Sequence, residues 1–276
     1  MICAKDIMTR KIITCLPAAP LSEVQDLMVD QRVSRILVVD SKKQELGIIT
    51  EKDLVNFLIR ETSRRALDNI HAEEVMSTGL ITVKTIAPVA EAAGTMIREN
   101  VSSLLVKDGQ VEGIVTKSDM VTYLAALATT IDYTVRNFMT ANPITISPSQ
   151  STFLAAELMS QHRISRIVVV DQTRPIGIIT LADLAIASSI IAQPRLPGEG
   201  RQQFTRRVEF ATNIHRLRAS NVMTRNPLCV NQNADLVSSA KLMTRHGISG
   251  LPVTDDSEKL VGIITKSDLT RAVASA

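Results

Sequence analysis

Four times along the chain a glycine is followed three residues on by a threonine, and three further on by an aspartate. The stretches are "GIITEKDL" from Gly47, "GIVTKSDM" from Gly113, "GIITLADL" from Gly177 and "GIITKSDL" from Gly262. The residues able to do chemistry are the threonines Thr50, Thr116, Thr180 and Thr265 and the acids Asp53, Asp119, Asp183 and Asp268. If the glycine opens a strand, the threonine ends it and the aspartate falls in the first turn of the next helix. The plain reading is a helix cap, in which hydroxyl and carboxylate satisfy free backbone N–H groups. Such boxes favour Glu or Gln, however, and here all four acids are the shorter Asp. A helix N-terminus also suits a phosphate. A short carboxylate beside it can accept hydrogen bonds from both cis hydroxyls of a ribose, as an acid does in dinucleotide folds. The pattern therefore reads as a sugar–phosphate site that still caps its helix.

Other chemistries find little support. His71, His162, His215 and His246 are scattered without ligand spacing, so no metal is expected. Cys3, Cys15 and Cys229 share no C-x-x-C spacing, which argues against a disulfide framework and for a reducing, cytoplasmic setting. No nucleophile–base arrangement recurs, and the repeated acids occupy equivalent positions of different repeats. That favours several binding clefts over one acid–base pair, hence no enzyme.

The elements that must position these residues are themselves repeated. Upstream of each pattern lie "DIMTRKIITC" from 6, "EVMSTGLITV" from 74, "NFMTANPITI" from 137 and "NVMTRNPLCV" from 221. Between the two lie "QRVSRILVVD" from 31, "ENVSSLLVKD" from 99, "HRISRIVVVD" from 162 and "HGISGLPVTD" from 246. Eight of the ten methionines fall in two columns, Met8, Met76, Met139 and Met223, then Met28, Met96, Met159 and Met243. They read as flexible core fillers. Apolar spacing such as Leu21, Val24, Leu27 and Met28 predicts a helix, and the β-branched run "RILVVD" predicts a strand. The unit is β-α-β-β-α, an α/β (α+β) fold. One such unit is too small to bury its apolar face alone, so repeats one and two, and three and four, are expected to pair.

The boundaries expected are 1–66, 67–130, 131–191 and 217–276, with a linker or insert at 192–216. The insert's later part sets Phe204, Val208, Phe210 and Leu217 among Arg206, Arg207, Arg216 and Arg218, the pattern of a basic amphipathic helix. Apolar residues make up 45% of the chain, enough for a sizeable core, while aromatics are only 3% and net charge is +3. Neither a stacking platform nor a polycationic footprint for nucleic acid is present, and no apolar run is long enough to span a bilayer.

Together, "MT…hT", "h-S-R-h-h-V-h-D" and "G-h-h-T-x-x-D", four times over, resemble the CBS domain, paired into Bateman modules. Four repeats without another domain are similar to the gamma subunit of AMP-activated protein kinase and its stand-alone prokaryotic relatives. The resemblance implies a non-enzymatic regulatory protein that binds AMP, ADP or ATP in inter-repeat clefts and signals to an unidentified partner protein. It leaves open an S-adenosylmethionine-type sensor, a scaffold without ligand, and a homodimer. It implies the four aspartates as ribose acids and the four threonines near the phosphates. It places adenine by Thr9, Ser77, Thr140 and Thr224, by Thr14, Thr82, Thr145 and Cys229, and by Val33, Val101, Ile164 and Ile248. Phosphate-binding arginines fall at Arg35 and Arg166, with Ser103 and Gly250 departing from that pattern in repeats two and four.

Overall fold

Each repeat begins with a single helical turn, Ala4–Ile7, Ala72–Val75, Val135–Phe138 or Ala219–Val222, and ends its sheet with an antiparallel hairpin. The computed structural model describes residues 2–60, 65–127, 133–184 and 217–275. In repeat one the short strand Thr14–Cys15 leads into the helix Leu21–Asp30, whose Leu21, Val24 and Met28 share one face and are buried. The chain returns as the strand Arg35–Val39, parallel to Thr14–Cys15, then turns back as Glu45–Thr50 and enters the helix Glu51–Arg60. The other repeats follow the same order. In all four, the second methionine column (Met28, Met96, Met159, Met243) is buried on the equivalent helix.

The central strand of repeat one is buried on both faces, with Ile36 and Val38 against their own helices and Leu37 facing away. Leu37 joins Leu105 and Ile114 of repeat two in a small seam, which explains why the run "RILVV" does not alternate in polarity. Backbone exchange reinforces this pairing. Thr9 bridges Ile114 of repeat two, and Ser77 bridges Ile48 of repeat one. Thr140–Ala141 pairs with Ile263 and Gly262, and Thr224–Arg225 with Ile178 and Gly177. Repeats one and two, and three and four, thus form two modules, each repeat completing its partner's sheet.

The largest core among the described residues lies elsewhere. Helices Val89–Arg98 and Lys117–Ala126 of repeat two pack on Leu236–His246 and Lys266–Ala274 of repeat four, uniting Met120, Leu124, Leu269 and Val273 in one cluster. The two modules are therefore joined through repeats two and four by helix packing, while each module is stitched internally by strands. The insert 192–216 lies outside the described residues. Leu217 and Arg218, at its end, are not helical: Arg218 bridges Ser151 and caps the turn Ala219–Val222.

Candidate functional site

The glycine column has a steric cause. A Cβ on Gly47 would sit 2.7 Å from the Met76 sulfur and 2.9 Å from the Ser77 carbonyl oxygen, both of the paired repeat. Gly113 faces Met8 and Thr9 in the same way, Gly177 faces Met223, and Gly262 faces Met139 and Thr140. The first methionine column thus docks on the partner's glycine column, and only hydrogen fits between them. This close approach brings the opening segment of one repeat beside the Thr–Asp turn of the other.

All four Thr–Asp pairs are capping boxes. Asp53 Oδ2 accepts from the Thr50 backbone N–H at 2.9 Å and from Thr50 Oγ1 at 2.6 Å. The backbone bond is 2.7 Å at Thr116–Asp119, Thr180–Asp183 and Thr265–Asp268, with hydroxyl bonds of 2.7, 2.8 and 2.7 Å. Capping consumes one carboxylate oxygen and leaves Oδ1 as the acceptor a ribose would use. Asp268 is the exception, because its Oδ1 accepts from Arg271 Nη2 at 2.8 Å.

A cavity of about 1030 Å³ opens between the modules and draws its lining from all four repeats. In module one it reaches Thr50, Asp53, Ser77, Ile81 and Val101; in module two, Thr265, Asp268, Thr140, Ile144 and Ile164. One cation from each repeat enters it: Arg35, Lys117, Arg166 and Lys266. With Lys52 and Arg163 the lining carries six cations against the three acids Glu51, Asp53 and Asp268, so its net charge is positive.

Each arginine crosses to its paired repeat. Arg35 Nη1 donates to the Ser102 carbonyl at 3.0 Å, and Arg166 donates to the Ser249 carbonyl. A Cβ on Gly250 would lie 2.9 Å from Arg166 Cδ, so the missing side chain of repeat four makes room for the arginine of repeat three. The departures in the arginine column are therefore accommodations. Two opposed arginines would compete for one space.

These cations are half-buried and close together. Burial holds Arg166 down to about 10, with Asp268 opposing, and its Nε is buried without a hydrogen-bond partner. Burial likewise lowers Arg35, against Asp119 and Glu51. Lys117 is lowered by burial and by Lys52 and Arg35, and Lys266 by burial and by Arg166 and Arg35. Burial also raises Asp119, against the Thr116 hydrogen bonds, Arg35 and Lys266. The two lysines cross between modules, Lys117 Nζ to Ser267 Oγ at 3.0 Å and Lys266 Nζ to Ser118 Oγ at 2.8 Å. Clustered cations and one donor without a partner among the described residues make the chemistry of this cavity suited to an anion.

The sequence-derived residues distribute unevenly. Thr50, Asp53, Thr265, Asp268, Arg35, Arg166, Val101 and Ile164 line the cavity, whereas Thr116, Asp119, Thr180, Asp183, Val33 and Ile248 are not on it. Thr14 and Thr82 are exposed, and neither they nor Thr145 line it; Ile81 and Ile144, one position earlier, do. Cys229 is exposed. Lys117 and Lys266 were not anticipated, although the identical "TKSD" of repeats two and four carried the signal. Among the described residues no group of three or more His, Cys, Asp or Glu is placed to hold a metal ion, and no helix is long and apolar enough to cross a membrane.

Comparison with known proteins agrees with this architecture. The family model for the CBS domain matches residues 4–60, 72–126, 135–189 and 219–275. The uncharacterised protein MJ1225 of Methanocaldococcus jannaschii is 27% identical over 282 residues, covering 96% of both chains. Its crystal structure, presented as that of a proposed archaeal homologue of g-AMPK, aligns with a TM-score of 0.82 at 24% identity over 98% of this chain and 99% of that one. Two-repeat chains align over half the length, at a TM-score of 0.41. CBSX2 in complex with AMP is 26% identical and covers 52% of this chain and 98% of its own. The CBS pair of MJ0100 with 5′-methylthioadenosine and S-adenosyl-L-methionine is 27% identical and covers 52% and 97%.

Proposed function

The chain belongs to the CBS-domain family, and on that premise we propose that it is a non-enzymatic, cytoplasmic regulatory protein that binds an adenine nucleotide and signals its level to a partner protein. The carrying observation is that Asp53, whose Oδ1 no described residue bonds, lines the same cavity as Arg35, Lys117, Arg166 and Lys266. In this reading the ribose lies on Asp53 Oδ1, the base lies by Ile81 and Val101, and the phosphates point to the central cations. The cavity is large enough for a nucleotide, ligand sites generally measuring roughly 300–1,000 Å³. Anion binding there would bias the modules' relative arrangement, because Lys117 and Lys266 each bridge repeats two and four. That link is the route by which occupancy reaches a partner.

S-adenosylmethionine is the second reading, and the cavity's excess of cations weighs against its sulfonium. A thermal-shift series with AMP, ADP, ATP and S-adenosylmethionine tests the choice. Phosphate-bearing ligands are expected to stabilise the protein and Asp53→Ala to remove most of that shift. Stabilisation by S-adenosylmethionine alone, or an Asp53→Ala variant that responds like the wild type, overturns the reading. No stabilisation by any adenosyl ligand favours a scaffold.

A further inference from the structure

Of the four aspartates in the repeated column, one has a partner that the others lack among the described residues. Asp268 Oδ2 caps its helix as elsewhere, but Oδ1 accepts from Arg271 Nη2 at 2.8 Å. The same nitrogen donates to the Phe138 carbonyl at 2.6 Å, in the opening turn of repeat three. Asp268 is 5% exposed, whereas the Arg271 side chain is 48% exposed, so the guanidinium closes over the acid from the solvent side. Asp53, Asp119 and Asp183 use Oδ2 for the cap, and no described residue bonds their Oδ1. The residue three positions beyond the acid is Asn56, Thr122 and Ile186 in those repeats, and Arg271 only in repeat four.

A cis-diol donates both hydroxyls to a carboxylate with a free oxygen. In repeat one no described residue bonds that oxygen, and Asp53 lines the cavity. In repeat four the same oxygen already accepts from one guanidinium nitrogen of Arg271, and a ribose must displace that charge-assisted hydrogen bond to reach it. We propose that Arg271 is an internal latch on Asp268, a specificity-determining residue that makes the repeat-four cleft discriminate against ribose-bearing ligands. The latch also ties repeat four to the segment that carries Thr140 and Ile144, both of which line the cavity. This inference rests on the reading of the aspartates as ribose acids.

The test measures affinity by calorimetry with AMP and with 2′,3′-dideoxyadenosine 5′-monophosphate. The background is Asp53→Ala, which removes the repeat-one site. Arg271→Asn, which copies the residue of repeat one, is expected to tighten AMP by about tenfold, the scale of one charge-assisted bond partly screened by solvent. The dideoxy analogue should gain little, and adding Asp268→Ala should cancel the gain. The reciprocal change, Asn56→Arg in the otherwise native chain, should install a latch on Asp53 and weaken AMP by about tenfold.

An unchanged AMP affinity in Arg271→Asn, or an equal gain for the analogue, overturns the latch. Should Arg271→Asn fail to fold by circular dichroism, Asn56→Arg decides, and native AMP affinity in it overturns the latch. AMP binding by the native chain without gain in Arg271→Asn defeats the latch alone. Absence of AMP binding in both the native chain and Arg271→Asn defeats the ribose-acid reading as well.

Discussion

Replacing Arg166 by Met should leave the unliganded protein about as stable as before while removing most of its response to nucleotide. Burial chiefly holds the guanidinium down to about 10, which corresponds to roughly 3 kcal/mol against its charged form. Because the group is charged in both folded and unfolded chains at neutral pH, that cost is present throughout the physiological range. Against it stand the bonds to the Ser249 carbonyl and to Ser165 Oγ, the latter at 3.4 Å. Charged hydrogen bonds contribute about 1.5–3 kcal/mol when well formed. A flexible apolar side chain of similar length fills the space, so cost and loss offset to within about 1 kcal/mol.

With ligand the balance changes. A ligand at a hundred times its dissociation constant adds about 2.7 kcal/mol of stability. Losing about 1.5–3 kcal/mol of phosphate binding leaves only about 0.3–1.3 kcal/mol of that increment. Urea denaturation with and without AMP, at the concentration giving a hundred-fold excess for the native chain, reads both quantities. An unliganded variant destabilised by more than about 3 kcal/mol, together with an intact AMP increment, would refute the view of Arg166 as a functional charge kept at a cost to stability.

Gly113→Ala should cost about 1–3 kcal/mol, because its Cβ would meet the Met8 sulfur at 2.6 Å and the Thr9 carbonyl at 2.9 Å; adding Met8→Ala should recover only part of the loss in thermal denaturation, since the carbonyl remains. Burial sets the folded pKa of Lys117 and Lys266 below 10.5, so the unfolded chain binds more protons just under that pH and stability should rise there with pH. The double change Lys117→Met with Lys266→Met should flatten that rise in a series from about pH 8 upward. Purified protein should turn over no nucleotide; steady ATP hydrolysis abolished by Asp53→Ala would contradict this. Neutralising Arg206, Arg207, Arg216 and Arg218 together should leave AMP affinity unchanged, and salt-sensitive RNA or DNA binding lost in that variant would show a different role for the insert.

The sequence disclosed what repetition amplifies and concealed what depends on crossing between repeats. Four copies of one hydrophobic pattern sufficed for the β-α-β-β-α order and for the pairing of one with two and three with four. The dominant core between repeats two and four was not legible, because helix–helix packing across modules leaves no mark in spacing along the chain. The resemblance places adenine by Thr14, Thr82 and Thr145 on the short strands, whereas the cavity is lined by the preceding Ile81 and Ile144. A two-residue strand such as Thr82–Val83 has too little length for alternation to fix which side faces inward, and Ile81 rather than Thr82 meets the cavity. Gly47 and Met76 were visible as columns, but that one column seats the other follows only from the exchange of opening segments. The same crossing explains why Gly250 stands where repeats one and three have arginine: it receives the arginine of its neighbour. Asp268 matches its three counterparts letter for letter, and only Arg271, one turn along the helix, distinguishes it. In a repeat protein the shared residues describe the scaffold, and specialisation of each cleft is written in the positions where the repeats stop agreeing.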